Sequence, residues 1–269
     1  VSSVAERRAA FRQLHESGCF VIPNPWDAGS ARYLEHVGYK ALATTSSGMA
    51  FAMGRRDGGV PVDDVIAHVA TLAGATDLPV NADFENGFAE DLGALADNVR
   101  RCGEAGASGL SVEDAPVEPR AQQYALDVAL ERLVAARHAL DESHPDVLLV
   151  ARAQNRMTSP DDVDDALQRL RAFADAGADV LYVPAAQSDE HIAAIVETAG
   201  PLPVNVLGRP GMTVAGLAAL GVRRISIAGQ LARVSWAAVA AAARILIEEG
   251  DLAVLGADAP DLNAIFGAG

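Results

Sequence analysis

Asp83, Glu113 and Arg152 each close a short apolar run, in PVNADFENG, GLSVEDAP and LLVARAQN, and a fourth run, KALATTSSG, stops on Ser46-Ser47-Gly48. Gathered on one rim, these residue types suit one kind of chemistry. The carboxylates can hold a hard divalent cation. The guanidinium can grip a carboxylate or phosphonate through its planar fork, and the Ser/Thr turn offers amides and hydroxyls to an oxyanion. Asp57, in the loop Gly54-Arg55-Arg56-Asp57-Gly58-Gly59, can join the acids. Acids grouped without a cation repel one another, which favours a metal over the plainer reading of capping acids or ion-pair partners of Arg152. Glu85 and Asp114 are the adjacent supporting candidates, and Glu90 is expected to cap the following helix. Trp26, beside Asn24 and Asp27, either walls the cup or packs as ordinary core. Asn205 either points an amide into the cup or is a satisfied core asparagine.

What the chain lacks narrows the chemistry further. Lys40 is the only lysine and precedes the second strand, so an imine-forming aldolase, which needs an amine at the active rim, is disfavoured. The six histidines (His15, His36, His68, His138, His144 and His191) fall in expected helices or loops, which argues against a histidine-rich zinc site. Oxygen ligands point instead to Mg²⁺ or Mn²⁺ held largely through waters. The glycine-containing loop Leu207-Gly208-Arg209-Pro210-Gly211 admits a rival, a sugar-phosphate isomerase. The loop Ala228-Gly229-Gln230 gives it no second cradle.

The elements that must position these residues are legible as alternation. Runs dense in Val, Ile and Leu predict strands at Cys19–Pro23, Ala41–Thr45, Pro79–Asp83, Gly109–Glu113, Val147–Arg152, Val180–Val183, Pro203–Leu207 and Arg224–Ala228, buried on both faces. Helical stretches separate them, several with start signals such as Ser159-Pro160-Asp161-Asp162. Eight such units without a linker predict a single (β/α)8 barrel over residues 1–250, with a tail at 251–269 packed on the barrel or a neighbouring subunit. An open doubly wound sheet is weaker, because no strand is followed by GxGxxG. The candidates sit at strand C-terminal ends, where barrel active sites form.

The net charge of −15 over 269 residues argues against nucleic acid or an anionic membrane as partner and leaves a small carboxylate substrate. Cys19 and Cys102 form no metal pair or disulfide framework, as in a reduced cytoplasmic protein. The apolar run Trp236–Ile247 is too short to span a bilayer and is broken by Arg244.

The ordered set PNPWDAGSARYLEHVGYKALATTSSGMAFAMGRRDG, PVNADFENGF, GLSVEDAP and VARA resembles the isocitrate lyase/phosphoenolpyruvate mutase superfamily, from about Phe11 to Gly229. The resemblance implies a Mg²⁺-dependent site for 2-oxo acids and a barrel whose last helix swaps between subunits of a dimer or tetramer. It places Asp83 at a metal-site aspartate, Asp57 and Glu113 at acids that hold the metal's waters, and Arg152 at the arginine that contacts the substrate. Ser46-Ser47-Gly48 matches the loop whose amides grip the 2-oxo acid. Departures are equally plain. Asn81-Ala82-Asp83 stands where Asp-x-Asp is common, and Ala115–Tyr124 carries no Cys, His or Lys where lyases have Lys-Lys/Arg-Cys-Gly-His. The mutase motif Lys-Thr-Asn-Ser is missing. Ala151-Arg152-Ala153-Gln154 replaces Ala-Arg-Thr-Asp, and Val183-Pro184-Ala185 lacks the mutase histidine. Tyr124, Arg120 and Glu118 are the substitutes at hand for a proton source. Three functions follow: a lyase or hydrolase cutting a C–C bond in a 2-oxo or 2-hydroxy carboxylate, an enzyme acting on a P–C bond, and a non-catalytic 2-oxo-acid binder.

Overall fold

A computed structural model describes residues 2–117, 122–256 and 259–267. Eight parallel strands form its centre: β1 (Phe20–Ile22), β2 (Leu42–Ala43), β3 (Val80–Asp83), β4 (Gly109–Glu113), β5 (Leu148–Arg152), β6 (Val180–Tyr182), β7 (Val204–Leu207) and β8 (Arg224–Ser226). They pair in chain order from β2 to β8, and β1 pairs with β8. The Ala43 amide donates to Pro23 O at 3.0 Å across the remaining seam. The result is a (β/α)8 barrel, as the alternation of buried runs predicts.

Helices α1 (Val4–Leu14), α2 (Ala28–Val37), α3 (Ser46–Ala52), α4 (Val62–Ala75), α5 (Leu92–Glu104), α6 (Leu126–Ser143), α7 (Pro160–Asp175), α8 (Asp189–Ala199), α9 (Val214–Ala219), α10 (Gln230–Glu248) and α11 (Leu262–Gly267) surround or extend it. Their starts are chemically marked. Ser159 accepts from Asp162 N ahead of Pro160 in the first turn, and Asp27 and Ser30 bond reciprocally at the head of α2. Asp91, not Glu90, caps α5, accepting from Ala94 N at 2.9 Å.

Two helices lie outside the expected pattern. In α1 the adjacent arginines Arg7 and Arg8 look solvent-facing by type, yet both are buried. Arg8 donates to Ala107 O and Gly103 O and pairs with Asp146, so its charge and donors are satisfied where it enters the core. This anchoring sets Phe11, fully buried, against Ile22, Ala41, Ala43 and Leu148, and α1 thereby packs on the barrel strands. The second, α3, begins at the Ser46-Ser47-Gly48 segment, which is thus the first turn of a helix capped by Thr45 and not a free turn.

Beyond β8 the chain leaves the barrel surface. Helix α10 runs for 19 residues and, among the described residues, alone is long and apolar enough by composition to cross a membrane; only 6% of it is buried. Val234, Trp236, Val239 and Ile247 stand exposed along it. Helix α11 returns to α2, where Arg32 donates to Phe266 O at 2.9 Å and lies 5.2 Å over its ring.

Candidate active site

Asp83 is the last residue of β3, and three neighbours fix its orientation. Its amide donates to Thr44 Oγ1 at 2.8 Å, Ser46 N donates to Oδ2 at 3.1 Å, and Arg152 Nη1 donates to Oδ1 at 3.3 Å. Glu113, ending β4, stands in direct register with Arg152 on β5. Its Oε2 lies 3.5 Å from Arg152 Nη2 and also accepts from Gln154 Nε2. The guanidinium thus sits between two carboxylates and packs 5.4 Å from the centre of the Tyr182 ring. Strand register carries this arrangement, because paired residues on neighbouring parallel strands face the same way.

The loop after β3 brings a third acid. Glu85 is buried and holds φ at +44°, a left-handed conformation unfavourable to a side-chain-bearing residue. Arg132 holds the loop in place, donating to Asn86 O and Ala89 O, and Glu113 N donates to Glu85 O at 2.8 Å. The side-chain Oε2 of Glu85 has no partner. Burial, then the charges of Asp83, Glu113 and Asp57, push the Glu85 carboxyl up to about 8. Burial likewise pushes Glu113 up to about 7, with Arg152 opposing it. For Arg152 burial works against the cation, but Glu113, Tyr182, Asp83 and Glu85 outweigh it and raise its pKa. Asp57 itself is exposed in the loop after α3.

Asp114 faces away from this group. It accepts from Gln154 N, Gln123 and Arg169, which ties the loops after β4 and β5 to α7. Tyr124 is tied to the loop after β3: it donates to Glu90 at 2.8 Å and accepts from Asn86 at 3.0 Å. Glu118 and Arg120 lie outside the described residues.

On the opposite flank the first turn of α3 is packed tightly. A Cβ on Gly48 would stand 2.5 Å from Thr45 Cγ2 and 3.1 Å from Trp26 Cβ, and one on Gly229 would stand 2.5 Å from Ser47 Oγ. Only glycines allow the turn, the loop after β8 and Trp26 to approach this closely. The Ser46 and Gly48 amides are spent on Asp83 and Thr45, whereas the Ser47 amide has no acceptor among the described residues.

Asp83 and Arg152 line a chamber of about 40 Å³ together with Asn24, Thr44, Asn81, Ser111, Tyr182, Asn205, Arg224 and Ser226. Trp26 lies instead beside a groove with Met49, Met53 and His68. Asn205 lines the chamber with both ends of its amide engaged: Nδ2 donates to Ser226 at 3.0 Å and Oδ1 accepts from Arg224 Nε at 2.8 Å. Sequence reasoning did not single out Tyr182, Gln154 or Arg224. Arg224 follows Arg223, and nothing in the sequence says which of the two turns inward.

Do these residues fit a divalent ion? Among the described residues no three carboxylate, histidine or cysteine side chains converge into a ready cage. Mg²⁺ does not need one, since it keeps several waters and takes one or two carboxylates. The orphaned oxygen of Glu85 beside Asp83 and Glu113 is the kind of donor such an ion or its waters would satisfy.

The family described as phosphoenolpyruvate phosphomutase matches residues 11–247. A crystal structure assigned as a lyase/mutase from Burkholderia cenocepacia J2315 is 42% identical, covers 98% of each chain and has a TM-score of 0.92. An uncharacterized protein of Mycobacterium tuberculosis is 32% identical over 81% of each chain. The 2,3-dimethylmalate lyase of Eubacterium barkeri is 28% identical over 66% of this chain and 63% of its own.

Proposed function

The chain belongs to the phosphoenolpyruvate phosphomutase family, within the isocitrate lyase/phosphoenolpyruvate mutase superfamily, and from that membership we propose a Mg²⁺-dependent lyase or hydrolase that cuts a C–C bond in a small 2-oxo or 2-hydroxy carboxylate. The observation that carries this reading is the convergence on Asp83: a backbone amide and a guanidinium address the same carboxylate at 3.1 and 3.3 Å, with Glu113 on the far side of Arg152. Carboxylates for a cation and donors for an anion therefore share one cup.

In this reading Asp83 would hold the ion, with Asp57, Glu113 and Glu85 placed to hold its waters. When bound, the ion would supply a positive charge that steadies the oxygen of the 2-oxo group as the bond breaks. Arg152 grips the substrate carboxylate in its planar fork. The Ser47 amide, without an acceptor in the Ser46-Ser47-Gly48 turn, would supply a donor to the substrate oxygen that gains negative charge. Glu113, pushed up to about 7 by burial, is the side chain we assign to hold a proton near neutral pH. Trp26 and Asn205 act behind this group, the first by fixing the α3 turn and the second through Arg224. We further propose a cytoplasmic homo-oligomer in which the uncovered apolar face of α10 packs on a second copy, in keeping with its exposed Val234, Trp236 and Val239.

Calorimetry with Mg²⁺ and oxalate tests the site. The expected result is metal-dependent oxalate binding that Asp83→Ala abolishes; unchanged Mg²⁺ affinity in that variant defeats the assignment. Proton exchange at the methyl group of pyruvate, followed by NMR, then separates an enzyme from a non-catalytic binder. No exchange above background sinks the enzyme reading.

A further inference from the structure

The interior of this barrel is unusual below its rim. Barrels of this class fill the space between their strands with branched apolar side chains. Here the chamber is lined mainly by polar side chains, the Asp83 carboxylate and Arg152 at its rim side among them, and it contains Arg224, only 3% exposed. The residues Glu113, Arg152, Tyr182, Asn205 and Arg224 form one unbroken line of register partners across β4, β5, β6, β7 and β8. The line begins at the last residue of β4 and finishes at the first residue of β8. It thus leads from the acids of the rim to a cation set deeper along the wall.

Arg224 donates from Nε to Asn205 Oδ1 at 2.8 Å and from Nη1 to Asn81 Oδ1 at 3.3 Å. Both acceptors are neutral amides. Among the described residues no carboxylate pairs with it, whereas Arg152 has two. The nearby Tyr182 does not supply the missing charge, because burial raises its pKa and keeps the phenol protonated. Burial without a counter-charge drags Arg224 itself down to about 10. Buried charges in folded proteins are paired as a rule, and Arg224 departs from that rule. The chamber beside it, about 40 Å³, has room for roughly three water-sized groups, enough for a carboxylate head.

We infer that Arg224 is the centre of a small-anion site inside the barrel, which seats one carboxylate-sized monoanion below the rim. Its existence does not depend on the reading of the rim; only the identity of the occupant does. The occupant is either the far carboxylate of the substrate or a free monoanion, and the chemistry of recognition is the same for both.

Crystals soaked in sodium bromide and measured at the bromine edge test this directly. The expected result is an anomalous peak against the Arg224 guanidinium. In solution, thermal melts across a sodium formate series, held at constant ionic strength with sodium gluconate, should show a saturable rise. Arg224→Met should weaken the formate response by about tenfold or more. Arg224→Lys, which keeps the charge, and Arg223→Met, on the half-buried neighbour that reaches outward to Gly18 O, should leave it nearly intact. Should Arg224→Met fail to fold, the bromide experiment on the natural chain still decides. An empty chamber in bromide, or equal formate responses in the natural chain and Arg224→Met, overturns the site. Oxaloacetate added to bromide crystals identifies the occupant: displacement assigns the seat to the substrate's far carboxylate, and coexistence assigns it to a free anion. A bromide peak together with failed Mg²⁺–oxalate binding would remove the rim reading and keep this one.

Discussion

Along β3, β4 and β5 the cup is walled by Asp83, Glu85 and Glu113 with Arg152 among them. Along β6, β7 and β8 it is walled by Tyr182, Asn205, Ser226 and Arg224, none of them a carboxylate; the Asp83 carboxylate lines the same chamber from the other wall. On the first wall Arg152 offsets part of the negative charge, and burial first, then the neighbouring carboxylates, raises the pKa of two acids. On the second a cation donates to two neutral amides and has no counter-charge. A buried group can be hydrogen-bonded and still lack a counter-ion. In the proposed reading the acid wall would receive a cation and the arginine wall an anion, and the two would meet in one cup.

Removing each arginine in turn separates the two walls. Arg152→Met should lower the unfolding free energy by about 3 kcal/mol or more in urea at pH 8, because it strands Asp83 and Glu113. Arg224→Met strands no carboxylate. It should cost only about 1–2 kcal/mol in buffer free of small anions, the loss of two amide contacts being offset by removal of an unpaired buried charge. Equal costs would erase the distinction between the walls.

Glu85→Gln probes the excess on the acid wall. The folded pKa of Glu85, about 8, lies above its ordinary 4.5, so the folded state holds the proton more tightly. The stability this contributes is full below pH 4.5 and is lost as pH rises through 8. Without divalent ions the variant should be about 2–4 kcal/mol more stable than the natural chain at pH 8.5 and equal to it at pH 4. Saturating Mg²⁺ should shrink the gap. Paired denaturant titrations at the two pH values measure it.

The smallest effect tests the far side of Arg224. His15, buried next to Phe11, is lowered from 6.5 to about 3, chiefly by burial and then by the charge of Arg224. Its stability contribution is full above pH 6.5 and is lost as pH falls through that value toward 3. Relative to His15→Gln, the natural chain should lose about 1–2 kcal/mol between pH 7.5 and pH 5. Combining His15→Gln with Arg224→Met should be less than additive, since the two groups share one electrostatic term. Strict additivity would separate His15 from the arginine wall.

Much of the acid wall is legible in the sequence. Asp83, Glu113 and Arg152 close apolar runs, and a strand end in a barrel is an address on the rim, so order along the chain suffices to group them. Glu85 is harder to place: it lies in a loop, and only the left-handed backbone at +44° and the hold of Arg132 turn it toward Asp83. Asp114, one residue beyond Glu113, faces the opposite way and joins Arg169. Trp26 is adjacent to the right residues in sequence and still falls in a different groove.

The sequence by itself determined the barrel, the order of its strands and the acids at their ends, because buried parallel strands must be continuous apolar runs and helix starts carry their own chemistry. The tertiary structure alone decided which of Arg223 and Arg224 enters the core. Arg223 reaches out to Gly18 O, while Arg224 turns in toward Asn81 and Asn205. Adjacent residues in a strand point to opposite faces, and a register of one residue exchanges them. Composition cannot see that register; it is set by the pairing of β8 with β7 and β1.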